Sequence, residues 1–124
     1  MFAIDAKKYA GRPNLRVEGG LFTPRVSRLF VGSRDCSKLV IGVRKQVGML
    51  EDALAKHGFA GIPVGGMLCF VEGDWPLIGG DFVIDGLNVL WPRKAASLLV
   101  KPGTMDAATA DRVHRALALA FPPA

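Results

Sequence analysis

Met1-Phe2-Ala3-Ile4-Asp5-Ala6-Lys7-Lys8-Tyr9 reads as a β-strand. Phe2, Ala3 and Ile4 are apolar, and the Gly11–Pro13 turn ends the run. Asp5 and Lys7 interrupt the apolar pattern. Strand side chains alternate faces, so positions 5 and 7 share one face and Ala6 takes the other. A carboxylate and an ammonium therefore stand side by side at the end of a strand that otherwise looks buried. Two arrangements fit this spacing. One is a solvated strand end with a simple ion pair, the commoner setting for charged side chains. The other is an Asp-x-Lys site that holds a divalent cation and sets a positive charge beside it.

The remaining 115 residues bound what such a strand can belong to. A chain of 124 residues, half of them hydrophobic, suits one α/β domain over residues 1–124. No apolar run approaches the ~18–20 residues that span a bilayer, so no membrane partner is expected. The strand pattern begins at once, with Asp5 inside it, which is unlike a secretory leader. Cys36 and Cys69 are too few and too far apart for a disulfide framework or a metal knuckle. Reduced thiols and a cytoplasmic location are the expectation.

Charge is unevenly placed. The net charge is +5, but residues 1–45 carry ten Lys or Arg against three acids, a balance of +7. The rest carries six bases against eight acids, a balance of −2. The basic excess thus lies in the segment that holds Asp5 and Lys7. A one-sided basic surface suits a phosphate backbone. The competing reading is a basic composition with no specific partner.

Leu15–Glu18, Leu21–Thr23 and Val26–Val31, separated by Gly19-Gly20 and Pro24, predict a meander of short antiparallel strands. Arg16, Arg25 and Arg28 are expected on its exposed, basic face. Ser33 to Gly58 predicts a long helix, with Ser33 or Asp35 as its N-cap and Gly58 as its stop. Leu39, Val43, Val47, Leu50 and Leu54 form one apolar stripe. Gln46 falls inside that stripe. Its amide needs partners there, since an unpaired buried amide costs ~1–3 kcal/mol. Either it bonds a nearby backbone carbonyl, or it faces the polar end of the Asp5–Lys7 strand.

Met67–Val71, after Ile62–Val64, is a near-continuous apolar run that reads as a strand covered on both faces. Cys69 is then a small core residue. Glu72 to Gly80 is a loop, with Trp75-Pro76 packing it onto the domain; Glu72 and Asp74 read as metal ligands or, more commonly in such loops, as turn carboxylates that bond their own backbone. Phe82–Ile84 and Leu87–Trp91, joined by Asp85-Gly86, read as a tight hairpin. Pro92 opens a helix through about Val100. After a Pro102-Gly103 break, Thr104 caps a last helix with Ala110, Val113, Leu117 and Phe121 on its apolar face. His57 and His114 read as surface histidines. No Walker loop, HExxH, serine elbow or readable Cys/His pair is present.

Four segments together resemble one family. Ile4-Asp5-Ala6-Lys7-Lys8-Tyr9-Ala10-Gly11 is similar to the IDAK-x-Y-x-G segment of NERD (nuclease-related) domain proteins. Lys38–Val47 resembles that family's KL-x-x-G-x-x-x-QV helix, Leu68–Leu77 its LCFV-x-x-DWPL segment, and Leu90–Lys94 its LWPRK. The four occur in the family's order and are spread over residues 4–94 of the 124.

The resemblance implies a restriction-endonuclease-like core, a central mixed sheet flanked by helices. It implies a phosphodiesterase of the PD-(D/E)xK kind, acting on nucleic acid, with DNA as the expected partner and Mg²⁺ or Mn²⁺ as cofactor. Asp5 would ligate the metal and the Ala6 carbonyl would be a further ligand. Lys7 would orient the attacking water or stabilise the charged transition state. Gln46 would belong to the surroundings of the catalytic pair or to its DNA-facing side. Apart from the resemblance, the basic excess of residues 1–45 makes Lys8, Arg12 and Arg16 the expected nucleic-acid contacts. The family also carries an acidic ligand on a strand before Asp5, preceded by a helix. The sequence begins inside the strand of Asp5 and supplies neither, so the expectation is an N-terminally truncated domain: either the true start lies upstream and completes the site, or this is a degraded copy, inactive because truncated. Glu18 is a conceivable substitute ligand. The alternative is a non-catalytic DNA-binding or interaction module.

Overall fold

The computed structural model describes residues 1–77, 79–101 and 105–122; Ile78, Pro102-Gly103, Thr104, Pro123 and Ala124 lie outside these. Its elements in order are β1 (Phe2–Lys7), β2 (Pro13–Glu18), β3 (Val26–Val31), β4 (Arg34–Asp35), α1 (Ser37–Lys56), β5 (Gly65–Phe70), β6 (Phe82–Ile84), β7 (Leu87–Leu90), α2 (Pro92–Leu99) and α3 (Ala107–Ala120). The chain is a mixed α/β fold.

The apolar run at 65–70 becomes the inner strand of a four-stranded mixed sheet, ordered β1-β5-β7-β6. β5 runs parallel to β1 and to β7, and β6 closes the far edge antiparallel to β7. Every residue from Gly66 to Phe70 is buried, as a strand covered on both faces requires. On one face Leu68, Phe70, Leu87 and Val89 meet Val40 and Val43 of α1 and Leu29 and Val31 of β3. On the other, Met67, Cys69 and Leu90 meet Ala95 of α2. Cys69 is a core residue, and burial pushes its thiol pKa up. α3 packs on α1.

The hairpin forms through Asp85 (φ 49°) and Gly86 (φ 79°). Two successive positive φ values match the right-handed twist of the strands they join. Trp75 anchors the preceding loop, with its ring 5.1 Å from that of Trp91.

Three expectations are corrected. The helix begins at Ser37, not Ser33, because Arg34 and Asp35 pair with Val31 and Phe30 as a short third strand. The N-cap position falls to Cys36, which makes no side-chain cap bond. Asp35 serves the helix from one residue earlier, accepting from the Ser37 N–H at 2.9 Å. Leu21 and Phe22 form a bend and are 90% and 94% exposed, so the meander has no strand there. Strands β2, β3 and β4 form a separate three-stranded sheet. At the last helix the cap is Asp106, whose carboxylate accepts from the Thr109 N–H at 2.7 Å.

Candidate functional site

Alternation along β1 puts Ala3, Asp5 and Lys7 on one face. Their parallel partners Gly66, Leu68 and Phe70 fix that face as the one α1 covers. β1 is the terminal strand of its sheet. The two charged side chains are therefore covered on one side and open to water on the other. Lys7 Nζ lies 3.4 Å from Asp5 Oδ1, with the side chains 33% and 23% exposed. That separation is an ion pair somewhat longer than a hydrogen bond.

Backbone bonding bears on the second expected ligand. Gly65 N–H donates to the Met1 carbonyl and Val71 N–H to the Lys7 carbonyl. Carbonyls alternate sides along a strand, so those of odd-numbered residues face β5. The Phe2, Ile4 and Ala6 carbonyls then face the free edge of β1, where the sheet does not consume them. Asp5 thus supplies a carboxylate and Ala6 an unclaimed carbonyl at one strand end. Mg²⁺ is held by one or two carboxylates and keeps several waters, and this donor set fits such an ion. No group of three His, Cys, Asp or Glu that could hold a metal occurs among the described residues. Glu18 is otherwise engaged: its Oε2 accepts from Arg28 Nε at 2.9 Å on the other sheet.

Gln46 departs from its expected burial: it is exposed. At ~100° per residue it lies about 60° from Val43 around α1. It lines a cavity of about 300 Å³ with Ala3, Ile4, Met49, Leu50 and Phe121. Its place is thus beside the first half of β1, before Asp5. No hydrogen bond joins it to Asp5 or Lys7 among the described residues.

The three expected nucleic-acid contacts lie in three settings. Lys8 is exposed just past β1. Arg12 is tied to the loop after β5: its NH2 stands 3.5 Å from Asp74 Oδ2, and its Nε donates to the Asp74 carbonyl at 3.3 Å. Arg16 lies over the Phe30 ring, 4.0 Å from the centroid, a cation–π arrangement. The outer face of the three-stranded sheet is not uniformly basic. Arg28 there is bound by both Glu18 and Asp35. Bonds from Ser37, with Arg28 adding to them, hold the Asp35 carboxyl below the usual carboxylate range.

Sequence reasoning missed Arg34. It lines a cleft of about 370 Å³ with Lys8, Tyr9, Ala10 and Val31. The only signal was a strand pairing, Val31 with Arg34, hidden because residues 33–36 read as the start of a helix.

No family model matches the chain, and no match was found among curated proteins or solved structures. No helix among the described residues is long and apolar enough to cross a membrane.

Proposed function

We propose that this chain is a nuclease-related protein of NERD type with a restriction-endonuclease-like core, a metal-dependent phosphodiesterase acting on nucleic acid, most simply DNA. The observation that carries the reading is the Asp5–Lys7 pair, 3.4 Å apart and part-exposed on a terminal strand. The resemblance of four ordered segments supports it, as does the +7 balance of residues 1–45.

Asp5 and the Ala6 carbonyl would hold Mg²⁺ or Mn²⁺. When bound, the ion polarises a phosphoryl oxygen and lowers the pKa of a coordinated water. Lys7 keeps its ammonium beside the Asp5 carboxylate. There it stabilises negative charge as it develops on a phosphate seated at the strand end. Tyr9 packs on Phe70 with ring centroids 6.1 Å apart, which fixes the chain just beyond the pair.

The test is cleavage of plasmid DNA with Mg²⁺ or Mn²⁺. Asp5→Ala and Lys7→Ala should each slow cleavage about 100-fold or more, the loss typical for one charge-stabilising group. Cleavage at the parental rate by both variants would sink the proposal. One observation favours the second reading, a binding module without catalysis: no three metal-ligating side chains cluster among the described residues. That reading expects salt-sensitive DNA binding and no metal-dependent cleavage by the parent chain.

A further inference from the structure

The cleft bounded by Lys8, Tyr9, Ala10, Val31 and Arg34 has no role in the scheme above. We infer that it is an oxyanion site that seats a phosphate group, with Arg34 and Lys8 as its binding residues.

Strand register sets up the site. Arg34 pairs with Val31, and Asp35 pairs with Phe30. Successive strand residues take opposite faces. Arg34 therefore shares the face of buried Val31, turned toward the end of β1. Asp35 takes the outer face, where its carboxylate oxygens are occupied by the Ser37 N–H and by Arg28. The one acid next in sequence to Arg34 is thus directed away from it. Lys8 reaches the same cleft from the first residue past β1.

Among the described residues, the other cavities that hold a cation also hold a carboxylate. The cavity that contains Arg44 also contains Glu51 and Asp85. The one with Lys56 contains Asp52, and the one with Arg28 contains Asp85. The Lys8–Arg34 cleft has two cations and no carboxylate in its lining. Neither cation forms an ion pair among the described residues. Two like charges facing one cavity repel, and an anion between them relieves that repulsion. A planar guanidinium offers paired N–H donors to phosphate oxygens, and an ammonium offers a point charge beside them. At about 370 Å³ the space falls within the ~300–1,000 Å³ usual for ligand sites.

The nucleic-acid source of the phosphate rests on the proposed function. Lys8 directly follows Lys7, so a strand phosphate seated in the cleft would place a neighbouring phosphodiester toward the Asp5–Lys7 pair. A free phosphate or small phosphate ester presents the same chemistry.

The experiment has two arms, both on the full chain. In the first, inorganic phosphate is titrated and amide NMR shifts are followed. Shifts should centre on Tyr9, Ala10 and Arg34, with binding about threefold to tenfold weaker in Arg34→Gln and in Lys8→Gln. Arg25→Gln, which removes an exposed charge elsewhere, should bind as the parent does. No shifts at the cleft, or equal binding by all variants, overturns the site. In the second arm a fluorescent DNA duplex is titrated in a salt series. Arg34→Gln should flatten the dependence of log K on log salt by about one phosphate contact. An unchanged slope, with parent binding intact, overturns the cleft as a seat for strand phosphate and leaves the nucleic-acid reading standing. Phosphate shifts without DNA binding by the parent support the cleft as a small-phosphate site and reject the nucleic-acid reading.

Discussion

Gly66 lies directly beneath side chains of α1. A Cβ built there would meet Leu87 Cδ2 at 2.5 Å, Val43 Cγ1 at 2.8 Å and Val47 Cγ2 at 3.2 Å. Two of these belong to β-branched side chains with stiff χ1 angles, and Val43 and Leu87 are buried. Gly66→Ala should therefore destabilise by about 1–3 kcal/mol through overpacking. Urea unfolding would show it as a lower midpoint with an unchanged m-value; an unchanged midpoint would mean the helix yields freely. Gly66 also pairs with Ala3, so the helix bears on the strand that carries Asp5. At this scale the Asp5–Lys7 pair was legible, because alternation in a strand is a local rule. Gln46 was half legible. Helical periodicity placed it inside the apolar stripe, but it is exposed, because β1 is the last strand of its sheet, which only the assembled sheet reveals.

Among the elements, α3 shows how one side chain sets a boundary. Bonds from Thr109, first its N–H and then its hydroxyl, hold the Asp106 carboxyl below its usual value of 3.8, and Arg112 adds to the effect. A carboxylate with a lowered pKa in the folded state contributes its full stabilisation above 3.8. That contribution is lost as pH falls through the lower folded-state value. The melting temperature of Asp106→Ala should thus lie below that of the parent at neutral pH, with the gap closing in strong acid. A gap independent of pH would show that the ionised cap does not matter. The helical stripe, the buried β5 run and the Asp-Gly hairpin were readable because each rests on a period or a turn rule within one segment. Strand β4 was not readable: two residues paired across Gly32-Ser33 carry no period, and Ser33 and Asp35 imitate a helix cap.

The whole molecule divides its charge by sheet and by partner. Arg28 is neutralised by two acids and Arg12 is tied to Asp74, while Lys8 and Arg16 meet no carboxylate among the described residues. If this surface binds DNA, combined replacement of Lys8, Arg12 and Arg16 by Gln should weaken binding at every sequence tested. The salt slope should fall by up to about three contacts, and less if Asp74 keeps Arg12 from the phosphates. An unchanged slope would locate the binding surface elsewhere. The parallel pairing of β1 with β5 has a consequence for biosynthesis. Ile4 meets Met67, 63 positions later by subtraction. At ~5–20 residues per second, a ribosome needs about three to thirteen seconds to make that interval. For that time Phe2 and Ile4 leave the tunnel with no strand to join, a natural opening for a chaperone that grips short apolar segments. The Asp5–Lys7 pair gains its supporting strand only once its partners Leu68 and Phe70 have been made.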